Sequence, residues 1–347
     1  MIDSSKLNPS FVFDEIDEKV WQKELSSFVP DRIFDFHGHI NLAEHAQIKE
    51  ENRTNPSMPF VVEDYPIEAF ADVEKTLWHG RETKVLLFGS IESHADLEPM
   101  NAYVSKSAHE NGWEALMVPP IKDSADTLQA KIHGGGFIGF KPYWTFVTWK
   151  DQNDVTLEDM ITPAMREAAN KEGLLIETHI PRADRLADPV NMEGIKRLCA
   201  ESPNATILLS HFGRSYFPDA MGDGLSLNNI PNLVIDLSMM QDAEVLEAVF
   251  TNFDRKKIVF GLDLPFAQEK GKLISINGQR HFFTKRPHKW SAHVAPDGYE
   301  VRCTLFAYEI VRAIKKAATA AHLKDNEVED IFWNNANRLV GEVKSRR

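Results

Sequence analysis

The chain has 347 residues, and its 39 lysines and arginines against 52 aspartates and glutamates give a formal net charge of −13 at pH 7. Its composition, 43% hydrophobic and 26% charged, is typical of a globular protein and excludes a disordered chain. The acidic balance, with no basic run longer than residues 344–347, argues against nucleic-acid binding and favours a small-molecule substrate.

Cysteine usage and the N-terminal residues bear on the compartment. Cys199 and Cys303 are the only cysteines, and they lack the CxxC spacing of a thiolate metal site and the number needed for a disulfide framework. Residues 1–24 mix acidic and apolar side chains, unlike a secretory leader, and no apolar run reaches 18 residues. We therefore expect a soluble, cytoplasmic protein that does not bind membranes. We also expect a homo-oligomer.

Short apolar runs alternate along the chain with longer amphipathic stretches, which is typical of parallel strands joined by outer helices. Eight strands are predicted, at residues 32–36, 84–88, 115–118, 137–140, 174–178, 206–210, 233–237 and 257–262. Helices are predicted at residues 67–78, 96–111, 124–132, 157–172, 189–201, 242–253, 301–321 and 326–343. Their number and order favour an α/β fold, a single (β/α)8 TIM barrel, over a doubly wound open sheet, which stays an alternative.

Two connections are longer than α/β loops usually are, at residues 40–65 after the first strand and 265–299 after the eighth. Both are expected to serve the site, and His281, His288 and His293 in the second are lid or specificity residues at best. No repeat or linker marks a second folded domain. The predicted organisation is an N-terminal extension at 1–31 and one barrel domain at 32–347.

The first predicted strand leads into Asp35-Phe36-His37-Gly38-His39. Residues i and i+2 of an extended backbone face the same side, so His37 and His39 are placed to share one metal ion. Gly38 permits close approach of neighbouring chain, and Asp35 is a candidate hydrogen-bond partner for a ligand histidine. A surface or capping loop is the alternative, because an HxH pair alone is a weak signal.

Lys141, His179, His211 and Asp263 each follow a predicted strand directly. Active sites of this barrel assemble at the carboxyl ends of the strands, so these residues and the histidine pair are predicted to form one site. Imidazole nitrogens with one carboxylate suit zinc, and also manganese, iron or nickel. Such a metal would lower the pKa of a bound water toward about 7, while Asp263 took and returned its proton.

The motifs DFHGH, GFK, ETH, SHFG, GLDLP and IFWNNANRLVG, spread over residues 35–341, resemble those of the amidohydrolase superfamily. Within it the sequence is similar to the amidohydrolase-2 branch of barrel-fold hydrolases and decarboxylases. The resemblance implies a catalytic or substrate-polarising His211. It also implies one divalent metal, most often zinc, with the ligands His37, His39, His179 and Asp263.

The role of Lys141 stays open at this point. In binuclear members of the superfamily a fourth-strand lysine is carboxylated and bridges two metals, and His179 and His211 would then bind the second ion. An unmodified Lys141 would instead contact a substrate carboxylate or pair with an acid such as Glu177. The habit of the branch favours one metal.

Four further residues are candidates for binding substrate. Tyr143 and Trp144 follow Lys141 and would wall a pocket for a planar substrate, with packing under a loop as the alternative. Arg182 and Arg214 lie three residues beyond the predicted site histidines of the fifth and sixth strands, within reach of a substrate carboxylate unless they are solvated. Their charge would allow an anionic substrate despite the acidic chain.

Three functions are compatible with these residues. The favoured one is a metal-dependent hydrolase of an amide, lactone or related carbonyl compound. The second is a metal-dependent, non-oxidative decarboxylase of a small unsaturated or aromatic acid, which would use the same ligands. The third, an inactive barrel that acts as a binding module, is disfavoured because no expected ligand is missing.

Overall fold

The structure of the chain is a computed structural model that describes residues 11–47, 64–285 and 302–346. Eight strands occur in the predicted order: β1 (Arg32–His39), β2 (Glu82–Phe88), β3 (Glu114–Ala115), β4 (Gly139–Phe140), β5 (Leu175–Thr178), β6 (Thr206–Leu209), β7 (Leu233–Asp236) and β8 (Ile258–Val259). Each lies within or overlaps a predicted strand. The strand predictions are therefore confirmed, with β3, β4 and β8 shorter than their apolar runs.

Parallel pairing closes these strands into a ring. β1 to β3 form one parallel set and β4 to β8 another, each in sequence order. Parallel bridges join the two sets, between Met117 and Phe140 on one side and between Gly38 and Leu264 on the other. The protein is thus the (β/α)8 barrel that the sequence predicts, and the carboxyl ends of its strands meet at one rim.

Helices surround the barrel and bury their apolar faces on it, as Ile310 and Ile314 do. Their bounds are Glu15–Val20, Ala43–Ala46, Ile67–Leu77, Leu97–Asn111, Ala125–Gly135, Leu157–Met160, Pro163–Glu172, Pro189–Glu201, Pro218–Met221, Ala243–Asn252, Phe306–Ala320, Asp325–Glu329 and Asn335–Ser345. The helix predicted at 157–172 is two helices, because Thr162 caps a new one and Pro163 suits its first turn. Within the described ranges, no helix has the length and apolar character needed to cross a bilayer.

The second long connection contains a hairpin that the sequence analysis did not predict. Its strands β9 (Gly271–Ile276) and β10 (Gln279–Thr284) pair antiparallel. Asn277 and Gly278 join them with φ of 51° and 73°, the left-handed geometry for which Asn-Gly is preferred in two-residue turns. The Asn277-Gly278 dipeptide was the sequence signal that could have predicted this hairpin. Residues 48–63 and 286–301, with His288 and His293, lie outside the described residues.

Part of the N-terminal segment packs on the barrel. Asp17 is buried and accepts hydrogen bonds from Thr304 Oγ1 at 2.7 Å and Leu305 N at 3.1 Å. It also forms an ion pair with Lys270, the residue that precedes β9. The segment therefore anchors the start of β9. The predicted domain boundary at residue 31 stays a prediction.

Candidate metal centre

Three histidines direct one ring nitrogen each toward Asp263. His37 Nε2 and His39 Nε2 lie 3.6 Å and 3.4 Å from Asp263 Oδ1. His211 Nε2 lies 3.7 Å from Asp263 Oδ2. Residues from β1 and from the loops after β6 and β8 thus converge at the rim, as their positions in the sequence predict.

Hydrogen bonds at Nδ1 fix the tautomers of two of these rings. His39 Nδ1 lies 3.1 Å from the carbonyl oxygen of Gly89, and His211 Nδ1 lies 3.0 Å from that of Ser238. A carbonyl oxygen only accepts, so Nδ1 carries the proton in each neutral ring and Nε2 keeps its lone pair. Both lone pairs therefore face Asp263.

Asp236, the last residue of β7, holds two histidines at once. Its Oδ2 lies 3.1 Å from His37 Nδ1, and its Oδ1 accepts the backbone N–H groups of His211 at 2.8 Å and Ser238 at 2.9 Å. Burial raises the pKa of Asp236, but the charge of His37 and these hydrogen bonds outweigh it and hold the pKa well below its usual range. Sequence analysis missed Asp236, because the strand predicted at residues 233–237 placed this residue inside the strand and not after it.

Asp35 has a different role from the one suggested by the sequence. Its Oδ1 accepts the backbone N–H groups of His37 at 3.0 Å and Leu262 at 2.9 Å, so it joins β1 to the chain after β8 and does not hold an imidazole. Burial raises its pKa to about 7. Gly38 is required beside it, since an added Cβ would lie 2.7 Å from the ring of Phe70.

The donor set and the charge of the cluster fit a divalent cation. Ligand atoms of His37, His39 and Asp263 lie within 4.8 Å of one another. Burial and Lys141 oppose protonation of His37, yet the carboxylates of Glu177, Asp263 and Asp236 raise its pKa to about 10. The raised pKa of His37 shows that the surrounding carboxylates favour a positive charge at this place. Two imidazoles with a carboxylate are also ligands that zinc prefers.

Asp263 and His211, unlike His37, have lost their titratable proton at neutral pH. Burial raises the pKa of Asp263, but the facing charge of His37 and the neighbouring His39 ring lower it to about 2, so it is a carboxylate. Burial lowers the pKa of His211 to about 4, so this ring is neutral at pH 7. Both groups are therefore proton acceptors in this state.

Lys141 is buried and forms an ion pair with Glu177. Its Nζ also lies 3.0 Å from Ser210 Oγ and 3.4 Å from His37 Nε2. Burial raises the pKa of Glu177, but the charges of Lys141 and His37 lower it overall, so the acid is ionised. The Lys141 amine is thus engaged by a carboxylate and a hydroxyl, the pairing with Glu177 that the sequence analysis gave as the alternative to a carbamate.

A cavity of about 340 Å³ opens in front of the cluster. The His179 ring lies 5.2 Å from that of His211 and 5.0 Å from that of Tyr143, and burial lowers the pKa of His179 well below its usual value. Most of the residues predicted for the site line this cavity, namely His37, His39, Lys141, Tyr143, Trp144, His179, His211, Arg214 and Asp263.

Arg182 is not brought to the cavity. Its Nε donates to Asp188 at 2.7 Å and its Nη1 donates to the carbonyl oxygen of Asn153. Two lining residues that the sequence analysis missed are Tyr216 and Arg280. Arg280 lies in the connection that was expected to serve the site, and the hairpin β9–β10 carries it there.

A left-handed turn at His211–Arg214 directs Arg214 inward. The four residues have φ of 55°, 43°, 60° and 62°, which only Gly213 adopts without strain. Arg214 Nη1 donates to the carbonyl oxygens of Ile180 and Pro181, both at 3.1 Å. Such strained backbone is common at functional sites. Here the left-handed turn places the Arg214 side chain on the cavity wall.

Comparison with known proteins identifies the family and the fold. A family model described as amidohydrolase matches residues 35–341, whereas no curated protein matches the chain significantly. Amidohydrolase 2 from Bifidobacterium longum subsp. infantis is similar at 15% identity and a TM-score of 0.53, over 89% of this chain and 98% of that one.

Two further solved structures have the same fold. A probable 2-pyrone-4,6-dicarboxylic acid hydrolase from Acinetobacter baumannii, with citric acid bound, has 15% identity and a TM-score of 0.54, over 89% of this chain and 99% of that one. The 5-carboxyvanillate decarboxylase from Sphingomonas paucimobilis has 12% identity and a TM-score of 0.55, over 90% of this chain and 99% of that one. At these identities the likeness carries the fold and no particular reaction.

Proposed function

The chain belongs to the amidohydrolase family, and from that premise we propose that it is a metal-dependent hydrolase of a small amide, lactone or related carbonyl compound. The observation that carries this proposal is the convergence of three imidazole Nε2 atoms on Asp263, within 3.4–3.7 Å. Such a set holds a metal and moves a proton at one place.

One divalent ion, zinc in the first instance, is proposed at this place. Its proposed ligands are His37, His39, His179 and Asp263. When bound, the ion would lower the pKa of a water toward about 7 and polarise a substrate carbonyl. The ion pair between Lys141 and Glu177 supports one ion rather than two, because it disfavours the carbamate that would bridge a pair.

The chain's own groups then carry the proton. Asp263 Oδ2 and His211 Nε2 lie 3.7 Å apart, and both accept protons in the tautomer that the Ser238 carbonyl fixes. Together they take the proton of the attacking water and return it to the leaving group. Tyr143 and Trp144 form the wall against which the substrate packs.

A decarboxylase of a small aromatic or unsaturated acid is the second candidate. The aromatic wall and Arg214 favour it, since they suit a planar carboxylate. However, decarboxylation must bring a proton to the substrate carbon while Asp263 and the Nε2 of His211 hold none in this structure, whereas in hydrolysis the attacking water supplies the proton that they pass on. Hydrolysis is therefore preferred.

Metal content and intact mass test the metal site directly. Protein purified without added metal or a histidine tag is expected to contain about one equivalent of a divalent ion and no carbamate mass on Lys141. No metal after reconstitution would contradict the proposal. Two equivalents with added mass would replace the mononuclear site by a bridged one.

A panel of lactones, amides and aromatic acids tests the reaction. His211→Asn is expected to lower hydrolysis by about 100-fold or more, since it removes a proton acceptor. His109→Gln, which changes an exposed helix histidine, is the matched control and keeps full activity. Release of carbon dioxide without hydrolysis would favour the second candidate, and activity of His211→Asn equal to the control would exclude the assigned role.

A further inference from the structure

Three arginines crowd together at one side of the cavity. Arg214 and Arg280 line it, and the guanidinium of Arg280 lies 5.2 Å from the ring centre of Tyr216. Arg185, on the loop after β5, has its guanidinium 5.5 Å from the ring centre of Phe217. Arg185 and Arg280 thus contact aromatic faces, which hold a guanidinium without neutralising it.

No acidic side chain neutralises these arginines within residues 11–47, 64–285 and 302–346. None of the three forms an ion pair there, and Arg185 Nε and Arg214 Nε are buried without a hydrogen-bond partner. Arg182, by contrast, has its own carboxylate in Asp188. Buried guanidinium donors without partners are costly, and an anion would satisfy them.

The electrostatics of the cluster agree with this geometry. Burial is the main cause that lowers the pKa of Arg185 to about 9, and the charges of Arg280 and Arg214 lower it further. Burial and the charge of Arg214 also lower the pKa of Arg280. Guanidinium groups keep their charge at neutral pH as a rule, so the mutual repulsion of these side chains stays uncompensated until an anion binds.

The cluster lies beside the candidate metal centre and not on it. Tyr216 lies between the arginines and the candidate metal centre. Its ring is 5.8 Å from the His211 ring and also contacts the guanidinium of Arg280. The hairpin β9–β10 brings Arg280 to this position and is held at Leu273 N by Gln241 Oε1, at 2.8 Å. Arg214 and Arg280 therefore line the same cavity as the candidate metal centre.

We propose that the substrate is a small molecule with an anionic group, carboxylate or phosphate-like, on the side away from its reacting carbon, and that Arg214 and Arg280 bind this group. Arg185 adds positive charge to the same place. This inference rests on the proposed function, because it puts the reacting carbon at the His37–His39–Asp263 cluster. It assigns Arg280 as a specificity residue and β9–β10 as the element that selects the substrate.

Calorimetric titration with three probes tests the inference without turnover. Benzoate carries one anionic group, while isophthalate adds a second carboxylate and 3-phosphonobenzoate adds a phosphonate. The wild-type protein is expected to bind at least one of the two latter acids about tenfold more tightly than benzoate, since bidentate guanidinium contacts are among the strong hydrogen bonds. The tighter of the two identifies the group.

Two variants on one hairpin show where that preference arises. Arg280→Gln is expected to remove most of the preference, and Arg280→Lys to keep part of it. Lys272→Gln removes one charge from the same hairpin at an exposed side chain that pairs with Glu309, and keeps the preference. Arg280 is half-buried on a hairpin, so its replacement leaves the barrel core intact.

Equal affinity of the wild type for all three acids, or no binding of any at millimolar concentration, would overturn the inference. So would an unchanged preference in Arg280→Gln. Failure of the proposed function is seen separately, as absence of metal or of hydrolysis, and neither is measured in these titrations.

Discussion

His37 Nδ1 and Asp236 Oδ2 lie 3.1 Å apart across the barrel mouth, between β1 and β7. This contact and that of Glu177 Oε1, 2.9 Å from the same nitrogen, fix the His37 ring with Nε2 toward Asp263. The Asp236 carboxylate also holds the backbone of His211. A carboxylate that orients a ligand imidazole raises its basicity and its affinity for a metal. Asp236 therefore acts on the proposed metal site through two other residues.

Asp236→Asn is expected to weaken metal binding by about 10- to 100-fold, because the amide keeps the shape but loses the charge that holds His37. Competition with a chromophoric chelator measures this affinity. Asp223→Asn, at an exposed loop aspartate, is the matched control. Affinities equal to the wild type in both variants would show that Asp236 has no part in the site.

The ion pair of Lys141 and Glu177 predicts strong coupling between two buried residues. Lys141→Met and Glu177→Gln are each expected to cost about 3–5 kcal/mol in the free energy of unfolding, because each removes a partner of a buried charge. In Lys141→Met, Glu177 keeps His37 Nδ1 at 2.9 Å, so this variant is expected at the lower end of the range. The double variant should cost clearly less than the sum of the two. Urea unfolding measures all three.

A surface ion pair provides the control for this comparison of single and double variants. Lys150 and Asp159 form an ion pair in which the lysine is more than a third exposed, so Lys150→Met should cost about 1 kcal/mol or less. Additive costs for Lys141→Met and Glu177→Gln would contradict the coupling.

In the metal-free protein, His211 is expected to contribute a loss of stability as the pH is lowered from about 6.5 to 4, whereas the buried acids Asp35 and Glu74, whose pKa values burial raises, contribute in the opposite direction. His211 has a pKa near 4 in the folded protein and about 6.5 when unfolded, so in this window unfolding takes up a proton. The contribution is fully present above about 6.5, and up to about 3 kcal/mol is lost by pH 4. The burial of His179 acts in the same direction.

Denaturant unfolding at several pH values, with a chelator present, checks this expectation. His211→Gln should remove this contribution, so lowering the pH should destabilise the variant less than the wild type, because the substituted side chain does not titrate. His109→Gln, at an exposed histidine, should keep the pH dependence of the wild type. Identical slopes in both variants would contradict the burial effect assigned to His211.

Local patterns were sufficient to predict the barrel. Strands and helices follow from apolar runs and from helical spacing, and the helix at Pro189–Glu201 was predicted to the residue. The polar residues at strand ends indicated the rim, because parallel strands of a barrel all end there. Asp236 escaped this rule because the predicted strand ran one residue further, to Leu237, than the observed strand.

The two arginines show what sequence spacing could not resolve. Arg182 and Arg214 each lie three residues beyond a histidine at a strand end, yet only Arg214 lines the cavity. The left-handed turn after β6 directs Arg214 to the cavity, whereas an ion pair with Asp188 holds Arg182 away from it. Neither the backbone handedness nor that partner follows from local pattern, since both depend on tertiary contacts.

Asp17 connects the N-terminal helix Glu15–Val20 to the element that carries Arg280. It accepts hydrogen bonds from Thr304 and Leu305 and pairs with the buried Lys270 at the foot of β9. Asp17→Ala is expected to cost about 3–5 kcal/mol, since Lys270 would then keep only the more exposed Asp14. Unfolding in urea measures this cost.

Amide hydrogen exchange separates a general loss of stability from a local one. In Asp17→Ala, residues 271–284 are expected to exchange faster than the strands β5 to β7, because the hairpin loses its anchor while the barrel keeps its ladders. Glu15→Ala, in the same helix but at an exposed pair with Lys19, should leave the hairpin protected. If exchange in Asp17→Ala increased uniformly over the barrel, Asp17 would support the fold as a whole. If instead the hairpin alone loosened, the N-terminal segment would be needed to hold Arg280 at the cavity.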